Sequence, residues 1–368
     1  MIATEEIKHT LALTLVPGIG PAKAKGLIAH CGSAKAVFEE SKAALMRIPD
    51  IGPFTTSAIK KADVIERAHE EMEFVEKYNI NVLSLFDENY PERLKQCIDA
   101  PLLLFVKGHV NLNAAKTISV VGTRSATPYG RAFCDEFIAA LKSYSPLIIS
   151  GLAYGIDIAA HKAAIQNSLP TIGCLAHGLD RIYPPAHTTV AEQMIRNGAL
   201  VTEFISGTNP DRELFPTRNR IIAGLSDAVI VVETDKRGGS IITAHLANGY
   251  SREVFAVPGR INDLHSSGCN DLIKKNVAAI LPSPEDFIEY LGWNQSNNHA
   301  PKQLNIFHEL DDGESKVISV IQTSSKIHFD SLFNALDLSP AALSSALLKL
   351  EFKGLIRALP GKQFECTQ

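Results

Sequence analysis

DRELFPTRNRIIAGLSDAVIVVETDKRGGSIIT, residues 211–243, decides how the middle of this chain folds. Arg218, Asn219 and Arg220 precede an apolar run, Ala228 to Val232 reads as a strand, and Gly238-Gly239-Ser240 opens a second stretch at helical spacing, with Ser240 the expected N-cap. A strand that ends in a glycine turn and enters a helix presents unpaired backbone N–H groups and a positive dipole end, which attract phosphate. Two guanidiniums just upstream add bidentate phosphate donors. An ordinary turn is the competing reading, with Arg218 and Arg220 paired to Glu203, Glu213 or Glu233.

Outward from this stretch, residues 117–290 repeat one pattern of apolar run, glycine turn and helix: TISVVG, LIISG, TIGCLA, ALVTEF, DAVIVVET, EVFAVPG and AAILP. Continuous rather than alternating apolar strands, separated by helical segments, indicate a parallel sheet covered on both faces. The expected fold class is α/β, a Rossmann-like doubly wound, mainly parallel sheet. Ligands of such sheets bind beyond the carboxyl ends of the strands, so the residues after each run are the candidates. These are Gly122-Thr123-Arg124-Ser125, followed by Thr127 as N-cap and Pro128 as first helical residue; Gly151 to Gly155; His177-Gly178 with Arg181 and Tyr183 beyond; and Arg237 to Ser240. All four glycine turns are expected to face one crevice.

The same residues exclude several chemistries. Arg124 stands where the second glycine of a dinucleotide fingerprint would sit, which excludes NAD and FAD. The chain has no Walker A lysine motif, no GxSxG and no HExxH. Six scattered cysteines without CxxC spacing read as reduced thiols, so no metal and no cofactor are expected. His161 and His177 read as core histidines and Asp157 as a helix-terminal structural carboxylate. No segment reads as a membrane span or export signal, which places the protein in the cytoplasm. The net charge of −4 argues against binding polyanions by bulk attraction. Each end of the chain carries a slight excess of Lys and Arg, so any nucleic-acid site in the middle is a local arginine cluster in an acidic envelope.

Residues 1–69 hold two similar segments, VPGIGPAKAKGLIAHCG and IPDIGPFTTSAIKKA, which resemble a tandem helix-hairpin-helix (SAM-like) unit. Gly18, Gly20 and Lys23 fit its phosphate-contacting turn, while the second copy reads as structural; both hairpins also read simply as packing elements. Residues 70–116 form an N-terminal extension of the sheet domain, which runs to 292, with short strands and Glu71, Glu73 and Glu76 on a solvated helix face. Residues 293–310 read as a linker, and 311–368 as three short helices and a hairpin turning at Pro360-Gly361, a winged helix. Its third helix, capped by Ser339-Pro340, has Leu343, Leu347 and Leu350 as core face and little Arg outside, which suits protein contact as well as a DNA groove.

The runs VVGTRSATPYG, ISGLAYGIDIAAHKAAI, GLDRIYPPAH, FPTRNRIIAGLSDAVIVVE, GGSIITAHLA and REVFAVPGRI resemble, in order and spacing, the signatures of the DNA-processing protein A (DprA, or Smf) family. The resemblance implies a non-enzymatic, homodimeric single-stranded DNA-binding protein that protects incoming strands and loads RecA recombinase onto them in natural transformation. It carries the site to Gly122, Thr123 and Arg124 (Thr where the family has Ser), to Arg218, Asn219 and Arg220, and to Gly239 and Ser240. Arg237 stands where a Ser is common, and Arg181 and Arg212 are accessory candidates. On this reading Arg124 and Arg218 hold successive phosphates and bases stack on Tyr183 or Phe215, which tolerates any sequence. Two other readings compete. A Rossmann-like phosphoribohydrolase acting on nucleoside monophosphates needs a Glu shortly after the glycine turn, where this chain has SIITAHLA; an assembly scaffold would use DNA only incidentally.

Overall fold

The computed structural model describes residues 2–61, 63–293, 310–324 and 326–367, so the expected linker falls almost entirely outside the described residues. The described chain forms two compact units, Met1–Tyr250 with Val254–Pro282, and Ser251–Glu253 with Ser283–Gln368.

The first unit opens with five helices, α1 (Ile2–Leu15), α2 (Pro21–Cys31), α3 (Ala34–Glu39), α4 (Lys42–Leu45) and α5 (Pro53–Lys61), the helix-hairpin-helix pair expected from the two glycine segments. Gly18 has φ +81°, which explains glycine in that turn, and Pro21 occupies the first turn of α2, where a missing N–H costs nothing. Helix α6 (Val64–Lys77) then leads to strand β1 (Asn81–Ser84), helix α7 (Glu92–Lys95) and strand β2 (Leu103–Gly108). Glu71 departs from the expected solvated face: it is 2% exposed and holds Arg67 and Ser206, whereas Glu73 and Glu76 are exposed. The α1–α5 helices do not stand apart, because Leu11, Leu27 and Ile59 share one apolar core with Leu103, Phe105 and Leu200 of the sheet.

The doubly wound region follows in strict alternation: β3 (Thr117–Val121), α8 (Pro128–Ala140), β4 (Leu147–Ser150), α9 (Ile156–Gln166), β5 (Thr171–Cys174), α10 (Thr188–Arg196), β6 (Gly198–Thr202), α11 (Leu214–Leu225), β7 (Ala228–Val231), α12 (Gly239–Gly249), β8 (Glu253–Ala256), α13 (Ser267–Lys274) and β9 (Ala279–Ile280). Strands β3 to β7 are buried along their whole length, the signature of a sheet covered on both faces. The sheet order is β1-β2-β6-β5-β4-β3-β7-β8-β9. β3 pairs in parallel with β4 and β7, and β1 and β2 add an antiparallel edge next to β6. The chain winds from β3 out to β6, then crosses back to β7 on the other side of β3. The winding therefore reverses between β3 and β7, where an open α/β sheet leaves a crevice beyond its carboxyl ends.

The second unit contains α14 (Pro284–Tyr290), α15 (Asp312–Gln322), β10 (Ile327–His328), α16 (Phe329–Ala335), α17 (Pro340–Phe352), β11 (Ile356–Leu359) and β12 (Gln363–Cys366). Ser339 caps α17, and Leu343, Leu347 and Leu350 pack with Val317, Ile321 and Leu332, the winged-helix core expected. Lys349, the basic residue on the outward side of α17, pairs with Asp311 at 3.0 Å. Among the described residues no helix is long and apolar enough to cross a membrane.

Candidate functional site

A cavity of about 490 Å³ lies at the β3/β7 reversal. Gly122, Thr123 and Arg124 come to it from the β3 turn, Ala153 from the β4 turn, Asp157 from the first turn of α9, Arg212 from the segment before α11, and Phe215, Arg218 and Asn219 from the first half of α11. Thr234, Asp235, Arg237, Gly238, Gly239 and Ser240 complete it from the β7 turn and the N-terminus of α12.

The β3 turn is rigid for local reasons. Thr123 N–H donates to the Glu233 carbonyl at 2.6 Å, and Ile156 N–H donates to the Thr123 carbonyl at 3.1 Å. Thr127 caps α8 as expected, and its hydroxyl and amide both donate to the Glu233 carboxylate, at 2.5 and 2.9 Å. Glu233 is thus the lock of this turn and not an arginine partner. Its position at the end of a buried strand, one turn from a helix N-terminus, was the available signal. Arg124 is exposed, and its guanidinium lies 4.8 Å from the centroid of Phe215, a cation–π contact that presents the charge at the cavity mouth. Tyr183, 42% exposed, meets Phe215 edge-on at 6.4 Å.

Arg218 lines the cavity from below and is 4% exposed. Its Nη1 donates to the carbonyls of Gly151 and Cys174, at 2.6 and 2.5 Å, and its Nε to Asn219 Oδ1 at 3.2 Å. A side chain on Gly151 would collide with this guanidinium, so that glycine makes room for the arginine and not for a ligand. Asp157, buried beside it, accepts the Gly151 N–H at 3.1 Å. Burial pushes the Asp157 carboxyl upward and the Arg218 guanidinium pulls it back.

At the other wall Gly238, not Ser240, is the N-cap of α12, so Ser240 sits inside the first turn. Ser240 is 6% exposed and its Oγ has no hydrogen-bond partner among the described residues. Asn219 reaches across to the Gly239 carbonyl at 3.4 Å. Arg237 and Arg212 are exposed on the cavity rim, and the two lining carboxylates are already engaged, Asp235 by the Arg237 amide at 2.6 Å.

Several expected contacts lie elsewhere. Arg220 is buried and pairs with Glu203 and the Asp99 carbonyl, as the competing reading of the stretch had it for this one residue. Three glycine turns converge, not four: Gly178 packs against the Ile205 and Ser206 backbone, and Arg181 is held by Asp180 and Asn209. Gly155 packs on the Thr123–Arg124 backbone, and the Ser125 amide donates back to Thr123 Oγ1 at 3.2 Å, so neither lines the cavity. Gly18 and Gly20 belong to the hairpin before α2 and Lys23 to the first turn of α2, all outside the cavity lining, with Lys23 donating to the Gly18 carbonyl. His161 and His177 also lie outside it; His161 bonds Thr171 at 2.7 Å and burial pushes it down to about 3.

Comparison with known proteins agrees with this architecture. The family model for DNA recombination-mediator protein A matches residues 81–292, the DprA winged helix domain matches 307–362, and a SAM-like helix-hairpin-helix tandem matches 10–62. The chain is 40% identical to the DNA processing protein DprA of Bacillus subtilis over 213 residues, covering 58% of this chain and 71% of that one. It is 34% identical over 300 residues to the Smf protein of Escherichia coli, covering 78% of each. Among solved structures, DNA processing protein A from Streptococcus pneumoniae superimposes with a TM-score of 0.67 at 31% identity, covering 78% of this chain and 98% of that one. DNA processing protein A from Helicobacter pylori, described for its single-stranded DNA binding mode, gives 0.53 at 31% identity over 58% and 96%. The chain belongs to the DNA recombination-mediator protein A family, that of the DprA and Smf proteins.

Proposed function

We propose that the crevice between β3 and β7 binds the backbone of single-stranded DNA, and that the protein, as a homodimer, protects incoming strands and loads RecA recombinase onto them. The observation that carries the DNA-binding part is the placement of the exposed Arg124, braced on Phe215, on the same cavity as the N-terminus of α12, where Ser240 Oγ is buried and has no partner among the described residues. A guanidinium and a helix N-terminus on one cavity make an anion site built from two elements. The handover to RecA and the dimer rest on family membership alone.

Arg124 and the rim arginines Arg212 and Arg237 hold phosphates, while buried Arg218 keeps the floor positive without leaving its carbonyl partners. Phe215 already carries two guanidiniums near its ring, at 4.8 and 5.8 Å, so bases stack on exposed Tyr183 instead. Stacking of this kind is indifferent to sequence.

Titration of labelled oligothymidine with the full chain and with Arg124→Glu tests the site. The variant is expected to bind at least about tenfold more weakly, the scale of losing one charge-assisted contact, with its unfolding midpoint unchanged. Wild-type affinity in a folded Arg124→Glu sample refutes the proposed site.

A further inference from the structure

The segment between β6 and α11, residues 203–213, supplies the crevice rim, since Arg212 lies on it and Phe215 is the second residue of α11. It is held from two sides. On one side Glu71 of α6 accepts the Ser206 amide at 2.9 Å and the Ser206 hydroxyl at 2.5 Å, while Arg67 donates to the Ser206 carbonyl at 2.7 Å and to Glu71 at 2.8 Å. On the other side the β5 turn closes on the same residues. The Gly207 amide donates to Asp180 at 3.0 Å, the Gly178 amide to the Thr208 carbonyl at 3.3 Å, and Arg181 to Asn209 at 2.7 Å. A side chain on Gly178 would strike the Ile205 carbonyl, so the approach of the two loops is tight.

Glu71 is 2% exposed and lies more than one hundred residues away in sequence, on the helix that joins the helix-hairpin-helix pair to the sheet. A buried carboxylate that spends its acceptors on one loop's backbone fixes that loop's position. We infer that Glu71 is a positioning residue for DNA binding: it holds the 203–213 segment so that Arg212 and Phe215 stand at the crevice rim, and through it α6 sets the binding competence of the sheet domain. Gly178 and Arg181 serve the same clamp from the opposite side. This inference rests on the crevice being the DNA site.

The test measures oligothymidine affinity on the full chain for Glu71→Ala, Glu71→Gln, Arg212→Ala, Arg124→Glu and the double variant Glu71→Ala with Arg212→Ala. Glu71→Ala is expected to lose about fivefold, within the range for positions that act through a packed neighbour. Glu71→Gln, which still accepts the Ser206 amide, recovers most of the loss. The double variant is expected to lose clearly less than the two single losses combined, because the part of the Glu71→Ala loss that runs through Arg212 is already gone in Arg212→Ala. Full additivity, or wild-type affinity in Glu71→Ala, overturns the inference. Should Glu71→Ala not fold, Asn209→Ala removes the exposed end of the clamp; it must show the same non-additivity with Arg212→Ala, and independence there is equally fatal. If Arg124→Glu also binds normally, the crevice reading itself has failed, an outcome distinct from the failure of the clamp alone.

Discussion

Arg124 and Arg218 border the same cavity in opposite circumstances, one exposed against Phe215 and the other buried on two carbonyls. Their substitution separates binding from stability. Arg218→Ala strands the Gly151 and Cys174 carbonyls and leaves Asp157 buried without its cation, so we expect a stability loss of about 3–5 kcal/mol in urea unfolding. Burial already raises the Asp157 pKa, and losing the guanidinium raises it further. A carboxyl whose folded pKa exceeds its unfolded value stabilises the fold at low pH and loses that contribution as pH rises. The deficit of Arg218→Ala is therefore expected to shrink as pH falls from neutral through the raised pKa, and a deficit that is constant with pH argues against Asp157 as the affected partner. The Arg-Asn-Arg triplet was legible in sequence as arginines near a phosphate-attracting turn, but not as a triplet divided between two tasks. Helix periodicity supplies the missing step: residues two apart lie about 200° around an α-helix, so Arg218 and Arg220 cannot both face one crevice. Nothing local says which of the two turns inward to Gly151, because that depends on how α11 packs on the sheet.

Among the elements, the strand-to-helix turns were the most readable and their purposes the least. Continuous apolar runs followed by glycine revealed β3, β4, β5 and β7 with their order along the chain, and Thr127-Pro128 announced the start of α8. The glycines themselves looked alike in sequence, whereas the structure separates them. Gly155 has φ +80° and would drive a side chain into the Thr123 and Arg124 backbone, so it serves the packing of one turn on another. Gly239 has nothing within 4 Å of an added side chain. Gly155→Ala is accordingly expected to lose about 1–3 kcal/mol of stability from its strained backbone and contact, and to weaken DNA binding by displacing Arg124. Gly239→Ala should keep wild-type stability within about 0.5 kcal/mol. Thermal unfolding of the two variants checks the contrast, and equal stability of both would contradict this division. Glu71 shows the same limit from another direction: it lies on the buried face of α6 with Val64, Ala68 and Val75, a helical spacing present in the sequence, but its partner Ser206 is one that only the tertiary fold brings near.

At the scale of the molecule, an acidic chain binds a polyanion only where its cations are gathered, and the fold gathers them by bringing three turns from distant sequence to one sheet reversal. The helix-hairpin-helix pair is part of this body, because α1 to α5 share their core with β2 and β6, so a fragment that begins just before β1 would expose Leu103, Phe105 and Leu200. Binding is therefore best measured on the full chain. If the crevice is the DNA site we propose, its exposed arginines, Arg124, Arg212 and Arg237, set the counterion release, whereas Arg218 is already committed to protein carbonyls. Each phosphate neutralised on a single strand contributes about −0.7 to the slope of log affinity against log salt, so three give a slope of about −2. Arg124→Ala should flatten this slope by about 0.7, and Arg218→Met, if folded, should leave it unchanged because its partner groups are not phosphates. A slope near zero for the wild type would show that the net charge of −4 dominates after all, and that strands are held by stacking or by another surface.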